Sequence, residues 1–408
     1  MTSHPVLDSR YSWIRLALTI LVAVFANVGI WMIVVVMPDI EAEFGASRAW
    51  TSVPYFLTMI GFAAGNFLVG RAVDRFGVAV SLQGAAVLSA LGFALSAMAP
   101  NIVTLSFMHL LLGLGTAVGF GPLMADISHW FIRHRGIAVA MVGCGNYLAG
   151  AVWPFVLSDL IATGDWRSVY LSMAVIVLVG MIPLTFTLRR RLPVEARNVA
   201  EVAASERTRS TGLAPRHLAY LLGFAGIACC VAMSMPQVHI VAYCVGLGYG
   251  PVVGQQMLSL MLMGGVVSRI VFGLVADRFG GVRTILISST MQCIALFLYL
   301  PWDGLVPLYV ISLVFGLSQG GIVPTYAVVV REYMPAKAAG QWVGFVLMTT
   351  IIGMALGGWM SGWIYDLSGS YQLAFVNGIA WNSMNIAIII WLLWRTRRGH
   401  MTGSAAPA

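Results

Sequence analysis

The sequence predicts an all-α, polytopic membrane protein with twelve transmembrane helices in two six-helix bundles related by pseudo-two-fold symmetry. Three observations carry this prediction: the composition, twelve apolar runs of membrane-spanning length, and a repeat between the two halves. Of the 408 residues, 59% are hydrophobic and only 9% are charged. A soluble domain of this size needs far more charge to cover its surface, so we expect the chain to lie in a lipid bilayer.

The apolar runs have the length that a membrane requires, because a helix needs roughly 20 apolar residues to cross the hydrocarbon core. The first run is too long for a signal peptide. The twelve predicted spans are 13–37, 49–70, 79–99, 103–130, 136–161, 168–188, 217–246, 252–275, 283–301, 304–330, 340–363 and 371–394.

The net charge of +8 reflects topology rather than nucleic-acid binding. Most basic residues fall in the N-terminal tail, the loops after even-numbered spans, the central loop and the C-terminal tail. Only Arg48 and Arg167 fall on the opposite side. Cytoplasmic loops are enriched in Lys and Arg, so we expect both termini in the cytoplasm and no nucleic-acid partner.

One long hydrophilic stretch, "RRRLPVEARNVAEVAASERTRSTGLAPRH", divides the spans six and six. We therefore expect an N-terminal bundle over 1–188, a cytoplasmic central loop over 189–216, a C-terminal bundle over 217–396 and a cytoplasmic tail over 397–408. The Ala, Glu and Arg content of the loop would allow a short helix on the membrane surface.

The two halves repeat. "GRAVDRFG" (70–77) follows span two and "GLVADRFG" (273–280) follows span eight. Likewise, "GLGTAVGFGP" in span four has a counterpart, "GLSQGGIVP", in span ten. Parallel six-span repeats imply two bundles around an axis along the membrane normal. Rocking of the bundles can then expose a site between them to either side.

The paired G-x-x-x-D-R-x-G loops resemble the signature of the major facilitator superfamily, and the likeness covers nearly the whole chain. The resemblance implies the major facilitator fold and alternating access. It also implies that Asp74, Arg75, Asp277 and Arg278 form a gating latch between the bundles. In other facilitators, an acid at the position of Asp126 pairs with the Arg of the first loop, here Arg75, so we expect Asp126 to belong to the gate.

Four further stretches resemble the monocarboxylate porter family and its bacterial relatives, which include oxalate/formate antiporter-like proteins. They are "ISHWFIRHRGIAVAM", "MPQVHIVAYCVGLG", "SRIVFGLVAD" and "GGWMSGWIYDLSGSYQLAF". The resemblance implies a non-enzymatic secondary transporter for small organic monocarboxylates, coupled to protons. It also implies that the protein is a monomer in a bacterial inner membrane and needs no cofactor or metal.

Arg269 is the strongest candidate for substrate binding. It stands in an otherwise apolar stretch, "MGGVVSRIVFGLV", where burying its charge costs at least about 2.5–3.5 kcal/mol. A guanidinium matches a carboxylate bidentately, and the corresponding Arg of the family binds substrate. Alternatively, Arg269 could pair with a protein acid or with helix-end carbonyl groups. We place no other Arg or Lys within a span, and a single fixed cation favours a monoanion.

Proton coupling has three candidates, His109, His239 and Asp126. His239 could also donate a hydrogen bond to the substrate, or it could bond only to a helix carbonyl. The animal branch of the family carries a Lys and an Asp where this chain has Trp31 and Gly265, which argues against copying its mechanism residue by residue.

Among the other polar residues within spans, Asn146, Tyr147 and Tyr326 are expected to line the substrate site. The five cysteines show no metal-ligand spacing and are expected in the core. Two alternative functions also fit the sequence. One is anion exchange of the oxalate/formate type, and the other is efflux of hydrophobic drugs or aromatic acids.

Overall fold

A computed structural model describes residues 6–162, 165–190, 193, 213–334 and 336–403. Twelve segments in this part of the chain are long and apolar enough to cross a membrane, and every regular element described is a helix. The predicted fold class is thereby confirmed. The predicted central loop, 189–216, lies almost entirely outside the described residues.

The N-terminal half forms spans one to six. Span one consists of two helices, Arg10–Ala26 and Val28–Phe44, and span four consists of Ile102–Thr116, a short turn and Gly121–Ser128. The remaining four spans are the single helices Arg48–Phe76, Val78–Ala97, Arg135–Val156 and Trp166–Thr187. A short helix, Ser158–Ile161, precedes span six.

The C-terminal half repeats this order in spans seven to twelve. Span ten consists of two helices, Leu305–Gln319 and Ile322–Tyr333. The other spans are Pro215–Gly246, Pro251–Phe279, Gly281–Leu298, Ala336–Ser368 and Gln372–Gly403. The last helix therefore continues into the predicted tail.

Glycines make the two halves alike in their packing. Gly113 of span four packs against the backbone oxygen of Thr58, and Gly316 of span ten packs against that of Met261. In each pair, a Cβ on the glycine would collide with the backbone of the facing helix. Both halves thus bring their second and fourth spans together at the same relative positions, as pseudo-two-fold symmetry requires.

The repeated glycine-rich stretches are helix breaks. Span four is interrupted between Thr116 and Gly121, and span ten between Gln319 and Ile322. Hydropathy had predicted each as one uninterrupted run, because it cannot detect a break inside an apolar segment. Backbone groups at a helix end lack partners in their own helix, so each break offers polar groups within the membrane.

The two bundles meet mainly along two pairs of spans, two with eleven and five with eight, and spans one and seven also touch, while spans three, six, nine and twelve pack outside. We call the end of the bundles that carries the chain termini the termini side, and the other end the opposite side. Gly77 and Gly280 start spans three and nine on the termini side with φ of 87° and 82°, a conformation that favours glycine.

Candidate functional site

Arg269 lies where span eight meets span five of the other bundle, and only 4% of its surface is exposed. Its Nε donates to the carbonyl oxygen of Gly320 at 3.0 Å, and its Nη1 donates to that of Gly143. The guanidinium carbon lies 4.4 Å from the centre of the Tyr147 ring. No described carboxylate forms an ion pair with it. Carbonyl dipoles and a ring face therefore hold the cation without neutralising it.

Gly320 accepts this hydrogen bond because it lies in the break of span ten. The N–H group of Gly320 donates to the hydroxyl oxygen of Ser268 at 3.1 Å, so span eight contacts both polar groups of this residue. Of the two structural partners considered for Arg269, the helix-end carbonyl is present. No acid among the described residues pairs with Arg269. The contact with Gly143 also ties Arg269 to the other bundle.

Asn146 and Tyr147 lie one turn beyond Gly143 in span five. The indole Nε1 of Trp31 donates to the backbone oxygen of Asn146 at 2.9 Å and to its Oδ1 at 2.8 Å. Asn146 is half-buried, and its amide nitrogen has no hydrogen-bond partner among the described residues. It is therefore an available donor close to Arg269 along span five.

Gly265 faces the side chain of Tyr147 across the bundle interface. A Cβ at this position would lie 3.0 Å from two carbons of the tyrosine ring. Trp31 and Gly265, which stand where the animal branch carries Lys and Asp, thus support Asn146 and Tyr147 instead. Tyr147 thus contacts Arg269 directly, and Asn146 precedes it in span five.

His239 lies apart from these residues, on the opposite side. Its Nε2 is 2.7 Å from the carbonyl oxygen of Gly358, and its Nδ1 is 3.0 Å from the hydroxyl of Tyr371. Tyr371 lies in the turn between spans eleven and twelve. The proposed contact of His239 with substrate is therefore not supported by this conformation, in which both ring nitrogens have protein partners.

Asp126 binds Arg15 rather than Arg75. Two nitrogens of Arg15 lie 2.8 and 3.3 Å from Oδ2 of Asp126, and a third donates to the carbonyl oxygens of Leu188 and Arg190, at 3.2 Å each. Arg15 is only 2% exposed and lies inside span one. The prediction that no Arg other than Arg269 lies within a span was therefore wrong. The predicted first span, 13–37, already contains this residue, but it was counted with the basic N-terminal tail because it stands near the start of the run.

The two remaining predicted candidates lie inside single bundles. His109 is bonded to the carbonyl oxygen of Leu105 at 2.9 Å and to the Tyr170 hydroxyl at 3.0 Å, both in the N-terminal bundle. Tyr326 donates to Asn385 of span twelve at 2.7 Å. The structure does not bring either residue to Arg269.

The predicted latch on the termini side is not engaged among the described side chains. Arg75, Asp277 and Arg278 are exposed, and none has an ion-pair partner of described position. Each arginine lies near the phenylalanine that follows it, at 5.2 Å for Arg75 and 5.8 Å for Arg278. The side chain of Asp74 lies outside the described residues.

A charged cluster that the sequence did not predict joins the bundles on the opposite side. We call Glu41, Arg48, Asp366 and Tyr371 the Arg48 gate. The Arg48 guanidinium lies 2.6 and 3.0 Å from the two oxygens of Glu41, and it donates to the Tyr371 hydroxyl at 2.7 Å. The backbone N–H groups of Arg48 and Ala49 donate to the carboxylate of Asp366 at 2.9 and 2.8 Å.

Asp366 thus caps the first turn of span two from the other bundle, where a carboxylate is favoured by unpaired N–H groups and the helix dipole. Burial raises the pKa of Tyr371 above its ordinary value, although the nearby Arg48 opposes this, so its hydroxyl stays protonated. The sequence did contain one signal for this cluster. Arg48 and Arg167 are the two cations on the side where positive charge is rare, and both are paired with acids.

Comparisons with known proteins agree with this fold. A family model described as Major Facilitator Superfamily matches residues 19–263 and 247–408. Monocarboxylate transporter 13 of Bos taurus is 26% identical over 327 residues, covering 79% of this chain and 76% of the relative. Monocarboxylate transporter 11 of Homo sapiens is 26% identical over 362 residues, covering 83% and 74%. These matches confirm the resemblance to the monocarboxylate family.

Two solved structures share the architecture. The nucleoside transporter NupG superposes with a TM-score of 0.69 at 13% identity, covering 92% of this chain and 99% of that chain. The proton:xylose symporter XylE superposes with a TM-score of 0.66 at 14% identity, covering 94% and 95%. At such identities the likeness concerns the fold alone, and it agrees with twelve helices in two bundles.

Proposed function

Because the chain belongs to the Major Facilitator Superfamily, we propose that it is a transporter of small organic monocarboxylates, such as lactate- or pyruvate-like 2-hydroxy and 2-oxo acids. The proposed mechanism is secondary active transport by alternating access. The similarity to monocarboxylate transporters 11 and 13 supports this substrate class.

One observation carries the proposal: Arg269 is a buried cation at the bundle interface with no anionic partner among the described residues. A guanidinium cannot shed its charge, so a substrate carboxylate would supply the missing negative charge and remove much of the burial penalty. The available amide nitrogen of Asn146 offers a donor for the second carboxylate oxygen or for a 2-hydroxy or 2-oxo group. A second substrate carboxylate would have no cation to pair with, which favours a monoanion.

The proposed orientation places the termini side in the cytoplasm of a bacterial inner membrane, following the distribution of Arg and Lys. In that orientation the Arg48 gate closes the outer side. Because the described residues of the latch are unpaired on the inner side, the structure then corresponds to an inward-facing carrier.

Proton symport completes the proposal, and anion exchange is the alternative. No ionisable group stands at Trp31 or Gly265, and among the described residues Arg269 contacts two carbonyl oxygens and the ring of Tyr147. Anion exchange needs no proton-binding group beside Arg269, so this arrangement also fits the alternative. Proton carriage by Asp126, His109 or His239 would instead use groups away from Arg269.

The test is uptake of a panel of labelled monocarboxylates into proteoliposomes, with and without an inward proton gradient. Wild type is compared with Arg269→Ala and Arg269→Lys, and Arg167→Gln serves as a control for loss of a cation elsewhere. We expect one or more acids to enter. Arg269→Ala should lower uptake at least about 100-fold, because it removes a charge-assisted pair with the substrate from a buried site.

The outcomes distinguish proton symport from anion exchange. Acceleration by the proton gradient supports symport, whereas uptake that requires internal anion and no gradient supports exchange. Arg269→Lys should retain only part of the activity, because an ammonium cannot form the bidentate pair. Normal uptake by Arg269→Ala would contradict the proposal.

A further inference from the structure

A chain of hydrogen bonds runs in one direction from the Arg48 gate to His239 behind it. Nε2 of His239 faces the carbonyl oxygen of Gly358 at 2.7 Å, and a carbonyl can only accept, so Nε2 carries the hydrogen. In the neutral ring Nδ1 is then an acceptor, and the Tyr371 hydroxyl, 3.0 Å away, donates to it. The Tyr371 oxygen in turn accepts from Arg48 at 2.7 Å.

This chain links the two bundles through a single hydroxyl. Arg48 belongs to span two, whereas His239, Gly358 and Tyr371 belong to the C-terminal bundle. Arg48 also stacks on the ring of Tyr365, with its guanidinium carbon 4.7 Å from the ring centre. In the closed state His239 is therefore a neutral acceptor bonded to the gate through Tyr371.

The charged and titratable groups linked to His239 through Tyr371 and Arg48 come from spans one, two, seven and eleven and from the turn after span eleven. They are Glu41 of span one, Arg48 of span two, Tyr243 of its own span, Tyr365 and Asp366 of span eleven, and Tyr371 of the following turn. Among these groups, Tyr371 is the one that hydrogen-bonds His239. The carboxylates of Glu41 and Asp366 are bonded to the side chain and backbone of Arg48, respectively.

A proton on Nδ1 does not fit this arrangement. The ring nitrogen would then donate towards the Tyr371 oxygen, which already accepts from Arg48, and the Tyr371 hydrogen would lose its acceptor. The added charge would also lie one hydroxyl away from the Arg48 guanidinium. Both effects oppose the contact between Tyr371 and Arg48, which joins the bundles.

We propose that His239 is a proton-binding site that opens the Arg48 gate when the medium on the opposite side is acidic. The proton comes from that medium, binds Nδ1 in the open gate and must leave before the gate can close. Because a ligand that binds one state shifts the population towards it, acid on this side holds the gate open. A histidine ring exposed to water titrates near pH 6.5, and opening of the gate would expose Nδ1 to the medium.

This inference rests on the proposed transport function, but its test measures the gate itself, without substrate. Spin labels are attached at Trp50→Cys and Leu367→Cys, which are exposed and flank the gate on the two bundles. In the labelled protein the five native cysteines are replaced, and the protein is reconstituted in lipid nanodiscs. Dipolar coupling between the labels is measured from pH 8 to pH 5.

We expect the population with separated labels to rise about tenfold on acidification, since a tenfold shift needs only about 1.4 kcal/mol of differential proton binding. His239→Gln retains a donor for Gly358 but cannot bind the proton, so its populations should not change with pH. Tyr371→Phe should open the gate already at pH 8 and lose most of the pH response.

The matched control is His109→Gln. His109 also bonds one carbonyl and one tyrosine hydroxyl, but both belong to its own bundle, so this variant should respond to pH as the parent does. A pH response that persists in His239→Gln would overturn the proposal, as would a parent that does not respond. Either result leaves the uptake test of the substrate class unaffected.

Discussion

The two ends of the bundle interface are built from the same spans but packed differently. On the opposite side, Gly358 and Gly362 of span eleven lie against span two. A Cβ on Gly358 would be 2.8 Å from the Tyr55 ring, and one on Gly362 would be 2.7 Å from the backbone oxygen of Arg48. On the termini side, a Cβ on Gly344 of span eleven or on Gly70 of span two would meet no atom within 4 Å.

The polar contacts follow the same division. The Arg48 gate joins the bundles on the opposite side, whereas no hydrogen bond or ion pair between described side chains joins them on the termini side. Arg269 lies between these two regions. One pair of helices thus closes one end and leaves the other apart, which is the geometry that alternating access requires.

The largest expected effect comes from breaking the gate at its cation. Arg48→Gln leaves Glu41 without its partner and removes the donor to Tyr371, so we expect the opposite side to open, with a shift of about 2–3 kcal/mol. Dipolar coupling between labels at Trp50→Cys and Leu367→Cys measures this opening.

Arg167→Gln is the matched control for Arg48→Gln. Arg167 is the other cation on this side, but it bonds Glu43 and the carbonyl oxygens of Ala97 and Ala99 inside one bundle. Arg167→Gln should therefore lower the thermal stability of the protein without opening the gate. Equal opening in both variants would mean that Arg48 does not hold the gate closed in particular.

A smaller effect is expected from the packing alone. In Gly362→Val the added side chain collides with the backbone of Arg48, and overpacking of this kind costs about 1–3 kcal/mol. We therefore expect the closed form of the opposite side to be depleted. Gly344→Val, on the same helix, should not change the label distances of the substrate-free protein. A closed gate in Gly362→Val would show that this end is looser than the structure indicates.

The smallest effect concerns Asp8, which lies on the termini side but within one bundle. Burial raises the pKa of Asp8, but hydrogen bonds from the N–H groups of Arg133, Ile132 and His134 outweigh it, so the pKa lies below its ordinary value. The charged carboxylate therefore stabilises the fold. This stabilisation is present above the unfolded-state pKa, about 3.9, and is lost as the pH falls through the lower folded-state value.

Asp8→Asn should accordingly lower the thermal unfolding midpoint slightly at neutral pH, by an amount that shrinks below about pH 4. Label distances at both ends should be unchanged, because Asp8 bonds only to its own bundle among the described residues. A change in the gate distances would mean that this loop takes part in the conformational equilibrium.

Much of the fold could be predicted from the sequence, because hydropathy and the repeated loops specify spans and symmetry directly. The helix breaks could not, since Gly320 and Gly119 lie in runs that are apolar enough on average to form one span each. Arg15 was missed for a related reason: only tertiary packing reveals that a charge near a helix start is buried against Asp126.

The site was predicted in part. Arg269 contacts Tyr147, next to Asn146, because spans five and eight face each other in the pseudo-symmetric arrangement, and a substrate-binding role for the three residues stays a prediction. His239 was assigned to the substrate although it stands seven residues before the end of span seven at Gly246. At about 1.5 Å per residue it lies roughly 10 Å from that end, which already placed it near the opposite side.

The most direct test of the account measures both ends of the interface with and without substrate. Labels at Trp50→Cys and Leu367→Cys report on the opposite side, and labels at Leu68→Cys and Met348→Cys, on the same two spans, report on the termini side. We predict that an added monocarboxylate brings the termini-side labels closer in the parent and has no effect in Arg269→Ala. If the label distances do not change with the carboxylate in the parent, or if they change equally in Arg269→Ala, closure by substrate binding at Arg269 is contradicted.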